Sequence, residues 1–491
     1  MKLEELLSCI PFYKTTENVS DLNIDKIVMD SRKVKPGDLF ICISGYTVDG
    51  HDFVNQAEAN GAVAIIAEKP VDSKLPVILV PDSKRALSIL AVKYYDNPTG
   101  KFSLIGVTGT NGKTTVTYLL EAIFKLAKQK TGVIGTLHMK IDDETYPVIN
   151  TTPDALSLQQ TFDKMAKQHI EQAIMEVSSH ALVQGRVHGC DYDIAVFTNL
   201  SQDHLDFHKD MDDYLRAKSL LFAQMGNHYD TEKRKYAVLN QDEPASELLK
   251  QSTAQHVITY GIDRDAQVMA SDIELGATGI NFQLKTPIGN IHIKSKLMGT
   301  FNVYNMLAAS AAAIVSNISL DTIQEAFEQI EGVNGRFEPV NEGQSFAVIV
   351  DYAHTPDSLE NVLQTVKEFA KQRVFVVVGC GGDRDKTKRP VMAQIAVKYA
   401  DKPIFTSDNP RTEDPMAILE DMTNGLDNDA TYEVIADRKA AIHEAVNQAA
   451  DDDIIVIAGK GHETYQQIGH TKYDFDDREV ARQAILAKER A

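Results

Sequence analysis

The chain carries 50 Lys and Arg against 70 Asp and Glu in 491 residues, a net charge of -20, with 43% apolar and 24% charged positions. At about 150 residues per domain this reads as a soluble protein of about three domains, and its acidity argues against nucleic acid, whose phosphates must be met by clustered Lys and Arg. No apolar run is long enough to span a bilayer, MKLEELLSCIPFYK lacks a signal-peptide core, and Cys9, Cys42, Cys190 and Cys380 show no paired spacing. A cytoplasmic protein without membrane insertion, disulfide framework or zinc template is therefore expected.

Residues 1–98 show short apolar runs at 39–43, 62–67 and 77–80, broken by Pro and Gly and alternating with helix-like stretches, which predicts a small α/β domain. The turn cluster DNPTGK (96–101) marks a boundary. A second domain, 99–332, opens with a strand at 104–107, followed by the loop TGTNGKTT (108–115) and a helix. The apolar residues Val116, Leu119, Leu120, Ile123, Phe124 and Ala127 give that helix its spacing. A strand, a Gly-rich loop ending in Gly-Lys-Thr and a helix N-terminus form a phosphate-binding P-loop. Its glycines admit backbone N–H groups to phosphate oxygens, Lys113 supplies charge, and Thr114 offers a hydroxyl to Mg2+. The general motif has Gly where Val107 stands, so this is a variant.

Strand-like AIMEV (173–177) and IAVFTNL (194–200) continue a βαβ rhythm, and ligands on such sheets lie beyond the carboxyl ends of the strands. Glu176, Ser178, Ser179 and His180 follow the first strand, and Asn199, Asp203, His204 and His208 follow the second. A carboxylate there suits Mg2+ beside a P-loop. His204 and His208 superficially suggest zinc, but no further ligand stands at metal spacing. A hard Mg2+ site on oxygen ligands with one imidazole is expected instead, the plain alternative for His208 being a hydrogen-bonded surface histidine. In MDDYLRAKSLLFAQM, helical spacing puts Met211, Leu215, Lys218 and Phe222 on one face, so a lysine occupies an apolar position. Either its stem reaches solvent, or the amine reacts with CO2 to give a Mg2+-binding carbamate.

The segment 333–491 predicts a third, Rossmann-like α/β domain, its strands lying in FAVIVDYAH, VFVVVGCGGDRD, IFTSDNPR and IIVIAGKGHE. Each strand ends in a polar cluster, and four clusters can converge on one sheet edge. GCGGDRD lacks the GxGxxG spacing, so NAD is not expected. Arg384 and Arg411 offer guanidinium forks for carboxylates, while Asp408 and Glu463 could hold an ammonium.

Together the motifs resemble the Mur ligase family of peptidoglycan synthesis over nearly the whole chain. TGTNGKTT, NTTPD, MEVSSHAL, FTNLSQDHLDFH, RAKSLLF, GTFNVYN, NGRFE, DYAHTPDS, GCGGDRDKTKRP, DNPR and GKGHE carry the likeness in order. The resemblance implies an α/β protein of three domains: a UDP-sugar-binding domain, a central P-loop parallel-sheet ATPase domain and a C-terminal amino-acid-binding domain. It implies ATP-dependent ligation of meso-2,6-diaminopimelate to the D-Glu γ-carboxylate of UDP-MurNAc-L-Ala-D-Glu through an acyl phosphate, with L-lysine addition as the alternative. It further implies a cytoplasmic monomer serving cell wall biogenesis, and with it cell shape and division.

By the same resemblance, ATP meets Thr108, Gly109, Thr110, Asn111, Gly112, Lys113, Thr114, Thr115, Asn302, Arg336, Asp351 and His354. Mg2+ meets Thr114, Glu176, His204 and Lys218 as carbamate, and Lys113, Lys218, His204 and Arg336 serve the chemistry. The UDP-sugar dipeptide meets Ser31, Thr47, Asn150, Thr151, Thr152, Ser178, Gln184 and Arg186. Diaminopimelate meets Arg384, Asp408, Asn409, Pro410, Arg411, Gly459 and Glu463. DNPR is the diaminopimelate signature: that amino acid is lysine with a second carboxylate, and Arg411 supplies a fork for it.

Overall fold

The computed structural model describes every residue except 46, 47, 149, 206, 277, 278, 334, 428 and 491. The chain forms three sheets of five, eleven and six strands plus a separate hairpin. In the first sheet Ile27–Val28, Leu39–Ile41, Ala64–Ala67 and Val77–Leu79 run parallel, and Lys14–Thr15 pairs antiparallel at one edge. Strand alternation sends Leu39 and Ile41 to a core with Leu87 and Leu90, and Phe40 to the opposite face with Cys42 and Ile65.

The large sheet has a parallel block in the order Thr131–Ile134, Gln172–Glu176, Ser103–Thr108, Ile194–Phe197, Tyr236–Asn240 and His256–Gly261. These strands are buried on both faces, as helices crossing between parallel strands require, so they read as unbroken apolar runs. Helices Lys113–Leu126 and Thr300–Val315 pack together over one face. The second of them is apolar nearly all round, with Met306, Leu307 and Ala308 to Ala313 drawn into that core except for Ser310, whose hydroxyl donates to the Met306 carbonyl.

Beyond the parallel block lies an antiparallel meander, Val268–Gly276, Gly279–Thr286 and Gly289–Ser295, which the βαβ reading of this domain did not anticipate. Its middle strand buries Ile280, Phe282 and Leu284 on one face and leaves polar residues on the other, the alternation of a half-covered sheet.

The third sheet runs Glu338–Pro339, Ala347–Asp351, Ile454–Ala458, Val374–Val378, Lys402–Phe405 and Glu433–Val434, parallel apart from its first strand. The late strand Ile454–Ala458 inserts between the two earliest of the parallel ones. Strand order therefore reverses there, where doubly wound sheets hold ligands. The four polar clusters of the sequence leave adjacent strands at one sheet edge. Among the described residues no helix is long and apolar enough to cross a membrane.

Candidate active site

Strand Ser103–Thr108 delivers loop 109–112 to the N-terminus of helix Lys113–Leu126, where the capping residue Gly112 sits at φ +85 and contributes no side-chain cap. A Cβ on Gly109 would run into the Thr198 hydroxyl and one on Gly112 into Asn305 Oδ1. Only glycine lets the loop lie this close, and the first-turn N–H groups are left for an anion. Lys113 Nζ donates to the carbonyls of Gly109 (2.9 Å) and Thr110 (2.7 Å). Burial pushes its ammonium below the usual lysine value, with Glu176 opposing and Arg336 reinforcing the shift.

Thr114 Oγ1 donates to Glu176 Oε1 (3.0 Å), and Thr136 holds the same carboxylate twice, through its N–H on Oε1 and its hydroxyl on Oε2, both at 2.9 Å. The loop, Glu176, His204, Lys218 and Arg336 line one cavity of about 360 Å³. Asn150, Thr151, Thr152, Ser178 and Arg186 line it too. Thr152 Oγ1 donates to the Glu176 carbonyl (2.8 Å) and accepts from the Ser178 N–H (3.1 Å), and Thr151 Oγ1 is 3.1 Å from Thr136 Oγ1. Arg186 donates through Nη1 to the Thr152 carbonyl (3.0 Å) and through Nε to Gln184 Oε1 (2.9 Å), so Gln184 orients the guanidinium without lining the cavity itself.

Lys218 lies on helix Met211–Ala223 at 1% exposure, which rules out the reading in which its stem reaches solvent. Its buried neighbours on the helix are Tyr214, Ala217, Leu221 and Phe222, whereas Met211 and Leu215 are only half-buried. Nζ stands 4.2 Å over the Tyr214 ring, and no hydrogen bond to it is made among the described residues. Burial, reinforced by the charge of Lys113, holds its ammonium well below the ordinary lysine value. The result is an amine, biased towards its neutral form, lining a polar cavity.

His204 adopts φ +56, its N–H donating to Asp203 Oδ1 (2.7 Å), and its ring lies edge-on to His180 at 5.0 Å. His208 is buried at 2% exposure and not on the surface. Its Nε2 pairs with Ser179 Oγ at 2.9 Å and its Nδ1 with Asp213 Oδ2 at 3.3 Å, a structural engagement of both nitrogens. No group of three or more His, Cys, Asp or Glu side chains placed to hold a metal ion by themselves occurs among the described residues.

Of the remaining positions singled out in the sequence, Thr108 lies buried under the loop. Asn302 donates to the Met298 carbonyl (2.9 Å) and accepts from Asn305, the residue packed against Gly112. Among the described lining residues Arg336 is the one contribution of the third domain to the phosphate-loop cavity. Its guanidinium lies 5.1 Å from the Tyr352 ring. Asp351 fixes that loop by accepting from the N–H groups of Phe337 (2.7 Å) and Ala353 (2.8 Å), and burial raises its pKa against the pull of Arg336. His354 is exposed, its Nδ1 2.8 Å from the Tyr352 carbonyl. Ser31 donates to Gln56 Oε1 (2.7 Å) within the first domain, away from this cavity. Thr47 lies outside the described residues.

The strand ends of the third domain gather a second cluster. Asp408, Asn409 and Pro410 are buried, and Arg411, at φ +49, donates through Nη1 to the Gly382 carbonyl (2.6 Å). Arg384 is exposed on the neighbouring loop. Gly459, at φ +118, is required because a Cβ would stand 2.8 Å from Asp408 Oδ2. Asn409 Nδ2 donates to Glu463 Oε2 (2.8 Å). The hairpin Tyr465–Ile468 and Thr471–Asp474 clasps this segment, Gln466 donating to the Asp408 carbonyl (2.7 Å) and Arg411 N–H to the Gln467 carbonyl (3.1 Å).

Beneath the cluster, fully buried Arg389 pairs with Glu413 (2.8 Å) and Asp421 (2.7 Å), while Glu413 also accepts from the Asp383 N–H (2.6 Å), bracing the loop that bears Arg384. Sequence reasoning passed over Thr136, Tyr214, Arg389 and Lys460. For Thr136 a signal was present, since it follows the strand Thr131–Ile134 as Glu176 ends its own.

The chain matches three family descriptions: "Mur ligase family, catalytic domain" over 23–95, "Mur ligase middle domain" over 107–313 and "Mur ligase, glutamate ligase domain" over 335–461. It is 64% identical to the UDP-N-acetylmuramoyl-L-alanyl-D-glutamate--2,6-diaminopimelate ligase of Oceanobacillus iheyensis, covering 99% of this chain and 100% of that protein. The Bacillus velezensis protein of the same name is 58% identical, with 99% of each chain covered. A solved structure of a ligase of that name superposes with a TM-score of 0.75 at 36% identity, over 100% of both chains. With its three segments matched in order and relatives this close over its full length, the chain belongs to the Mur ligase family.

Proposed function

We propose that this chain is an ATP-dependent ligase that joins meso-2,6-diaminopimelate to the D-Glu γ-carboxylate of UDP-MurNAc-L-Ala-D-Glu. The observation that carries the reading is one cavity in which a P-loop, the Glu176 carboxylate, the buried Lys218, the Arg186 guanidinium and Arg336 meet. Residues 1–98 take the UDP-sugar through Ser31 and Thr47, 99–332 take ATP and the dipeptide, and 333–491 take the amino acid. The hydroxyl of Thr114, the carboxylate of Glu176 and the imidazole of His204 are a donor set suited to Mg2+, which when bound supplies charge neutralisation for the phosphates.

In the first step a γ-carboxylate oxygen attacks the terminal phosphorus of ATP, an O–P bond forms and ADP leaves. Lys113 and Arg336 act on the charge that builds on the transferred group, and the loop N–H groups fix its orientation. In the second step the amine nitrogen attacks the acyl carbon, the tetrahedral species loses inorganic phosphate, and the amine proton goes to solvent. Positioning dominates both steps. Lys218 joins CO2 through a new N–C bond, the displaced π pair resting on oxygen and the amine proton leaving to water, so that a cation position becomes an anionic metal ligand.

At the amino-acid site Arg411 grips the carboxylate that L-lysine lacks, with Arg384 beside it, and an unmatched Arg411 guanidinium disfavours lysine by about 1.5–3 kcal/mol. The test is phosphate release with UDP-MurNAc-L-Ala-D-Glu, ATP and Mg2+, offering diaminopimelate and L-lysine separately and weighing the products. Release with diaminopimelate alone is expected. Release with lysine overturns the role given to Arg411, and release with neither overturns the ligase.

A further inference from the structure

A second buried lysine, one that the proposed reaction leaves without a task, stands at the end of strand Ile454–Ala458. Lys460 is 0% exposed and follows Gly459 directly. Its Nζ donates to Asn409 Oδ1 (3.2 Å) and Glu463 Oε2 (3.1 Å), 5.4 Å from the centre of the Tyr465 ring. A buried ammonium is costly unless paired, so its partners define its purpose.

Glu463 Oε2 also accepts from Asn409 Nδ2 at 2.8 Å, while Oε1 receives no hydrogen bond among the described residues. Asn409 is engaged through both side-chain polar atoms and its backbone. Its Oδ1 takes Lys460 Nζ and the Gln467 N–H (2.8 Å), its Nδ2 goes to Glu463, its carbonyl accepts from the Gly382 N–H (2.9 Å), and its own N–H goes to Asp408 Oδ1 (2.7 Å). The backbone supports the same geometry, since the Glu463 N–H closes a turn onto the Lys460 carbonyl at 2.9 Å.

We propose that Lys460 is a positioning residue for the incoming amino acid: together with Asn409 it ties down one oxygen of Glu463 and leaves Oε1 as the acceptor for an ammonium group of that substrate. Asn409 then acts through Glu463 and the Gln467 backbone, which its Nδ2 and Oδ1 hold in place. The inference rests on the ligase reading above and deepens it. A competing effect has the opposite sign: Lys460 shares the Glu463 carboxylate with the substrate ammonium, and its removal would then tighten binding. Geometry wins, because a carboxylate freed from the Lys460 brace gains rotamer freedom that must be frozen again on binding.

The test compares wild type, Lys460→Met, Lys460→Gln and Glu463→Gln, alone and combined, by steady-state kinetics, with thermal melts to verify folding. The comparison is run on whichever amino acid the wild-type enzyme ligates. Lys460→Met is expected to raise the KM of that amino acid about tenfold while moving the KM of ATP less than about twofold. Lys460→Gln, which keeps an N–H donor, should recover part of the loss. In the Glu463→Gln background Lys460→Met should add less than about twofold, the non-additivity of residues acting as one unit. An unchanged or lowered amino-acid KM, equal rises for ATP and amino acid, or full additivity with Glu463→Gln each overturns the proposal. Should Lys460→Met not fold, Lys460→Gln with and without Glu463→Gln decides by the same criteria. A wild type that ligates lysine in place of diaminopimelate removes the role of Arg411 and leaves this comparison intact; one that ligates neither overturns both.

Discussion

Lys218 shows what a single side chain costs and gives. Its ammonium is buried without a hydrogen bond among the described residues, and its pKa is held well below the ordinary lysine value. The folded state therefore binds fewer protons than the unfolded one below the ordinary lysine pKa of about 10.4, so this group lowers stability at neutral pH. Lys218→Met is expected to melt higher than wild type at pH 7, with the difference shrinking as pH rises through about 10.4, above which both states carry a neutral amine. The same variant should lose ligation by about a hundredfold or more, and Lys218→Ala should regain part of its rate with a short carboxylate or bicarbonate. Full activity in either variant contradicts the carbamate.

Arg411→Ala is expected to raise the diaminopimelate KM by about 10- to 100-fold with the ATP KM nearly unchanged, the worth of a charge-assisted pair. An equal rise in both removes its assignment. Glu413 supplies the pH test. Arg389, the Asp383 N–H and Lys386 hold its carboxyl down to about 2, below the usual carboxylate range. A depressed carboxyl stabilises the fold fully above its unfolded pKa of about 4.3, and that contribution is lost as pH falls towards 2. Acid unfolding should thus be steeper in wild type than in Glu413→Gln between about pH 4.3 and 2, and identical slopes would contradict the bracing role.

At the scale of elements, the loop before strand Glu338–Pro339 touches both sites. Gly335 sits at φ +67, its carbonyl accepts from the Tyr352 N–H (3.0 Å), and an added Cβ would run into the His462 backbone nitrogen. Its neighbour Arg336 lines the phosphate-loop cavity, and His462 belongs to the segment that ends in Glu463. The Tyr352 ring lies between them, 5.1 Å from the Arg336 guanidinium and 5.0 Å from the His462 ring. Gly343 has a comparable φ of +95 with open space around it, which makes it a control. Gly343→Ala should cost about 1 kcal/mol of strain, measured by denaturant unfolding. Gly335→Ala should cost more, about 2–4 kcal/mol, and lower kcat as well, because it displaces the contact and not only the backbone angle. Equal effects would show that strain alone matters at position 335.

At the scale of the whole molecule, the phosphate-loop cavity and the Asp408 to Arg411 cluster are lined by different residues, Arg336 being, among the described residues, the one lining residue of the first that comes from the third domain. Bond formation requires the amine within about 3–3.5 Å of the acyl carbon, so the third domain is expected to close onto the second during turnover. Small-angle scattering should show a smaller radius of gyration with a non-hydrolysable ATP analogue and the UDP-sugar dipeptide together. An unchanged radius contradicts closure.

Local order was legible in the sequence wherever a short segment carries its own physical signature. The P-loop announced itself because strand, glycines, lysine and helix start are contiguous, and the four strands of the third domain because parallel strands buried on both faces must be continuously apolar. The meander at 268–295 carries its own alternation, with Ile280, Phe282 and Leu284 between polar residues, but the apolar parallel strands before it give no sign that the sheet continues antiparallel. Burial lay beyond the sequence, since helical spacing placed Lys218 on an apolar face but could not tell a solvated stem from an entombed amine, nor find His208 in the interior. Thr136 against Glu176, Arg389 beneath Arg384 and Lys460 tied to Glu463 were likewise decided only by the tertiary structure. Those pairs join residues far apart in the chain or reversed in a tight turn, and the free energy of a desolvated charge depends on what surrounds it and not on its neighbours in sequence.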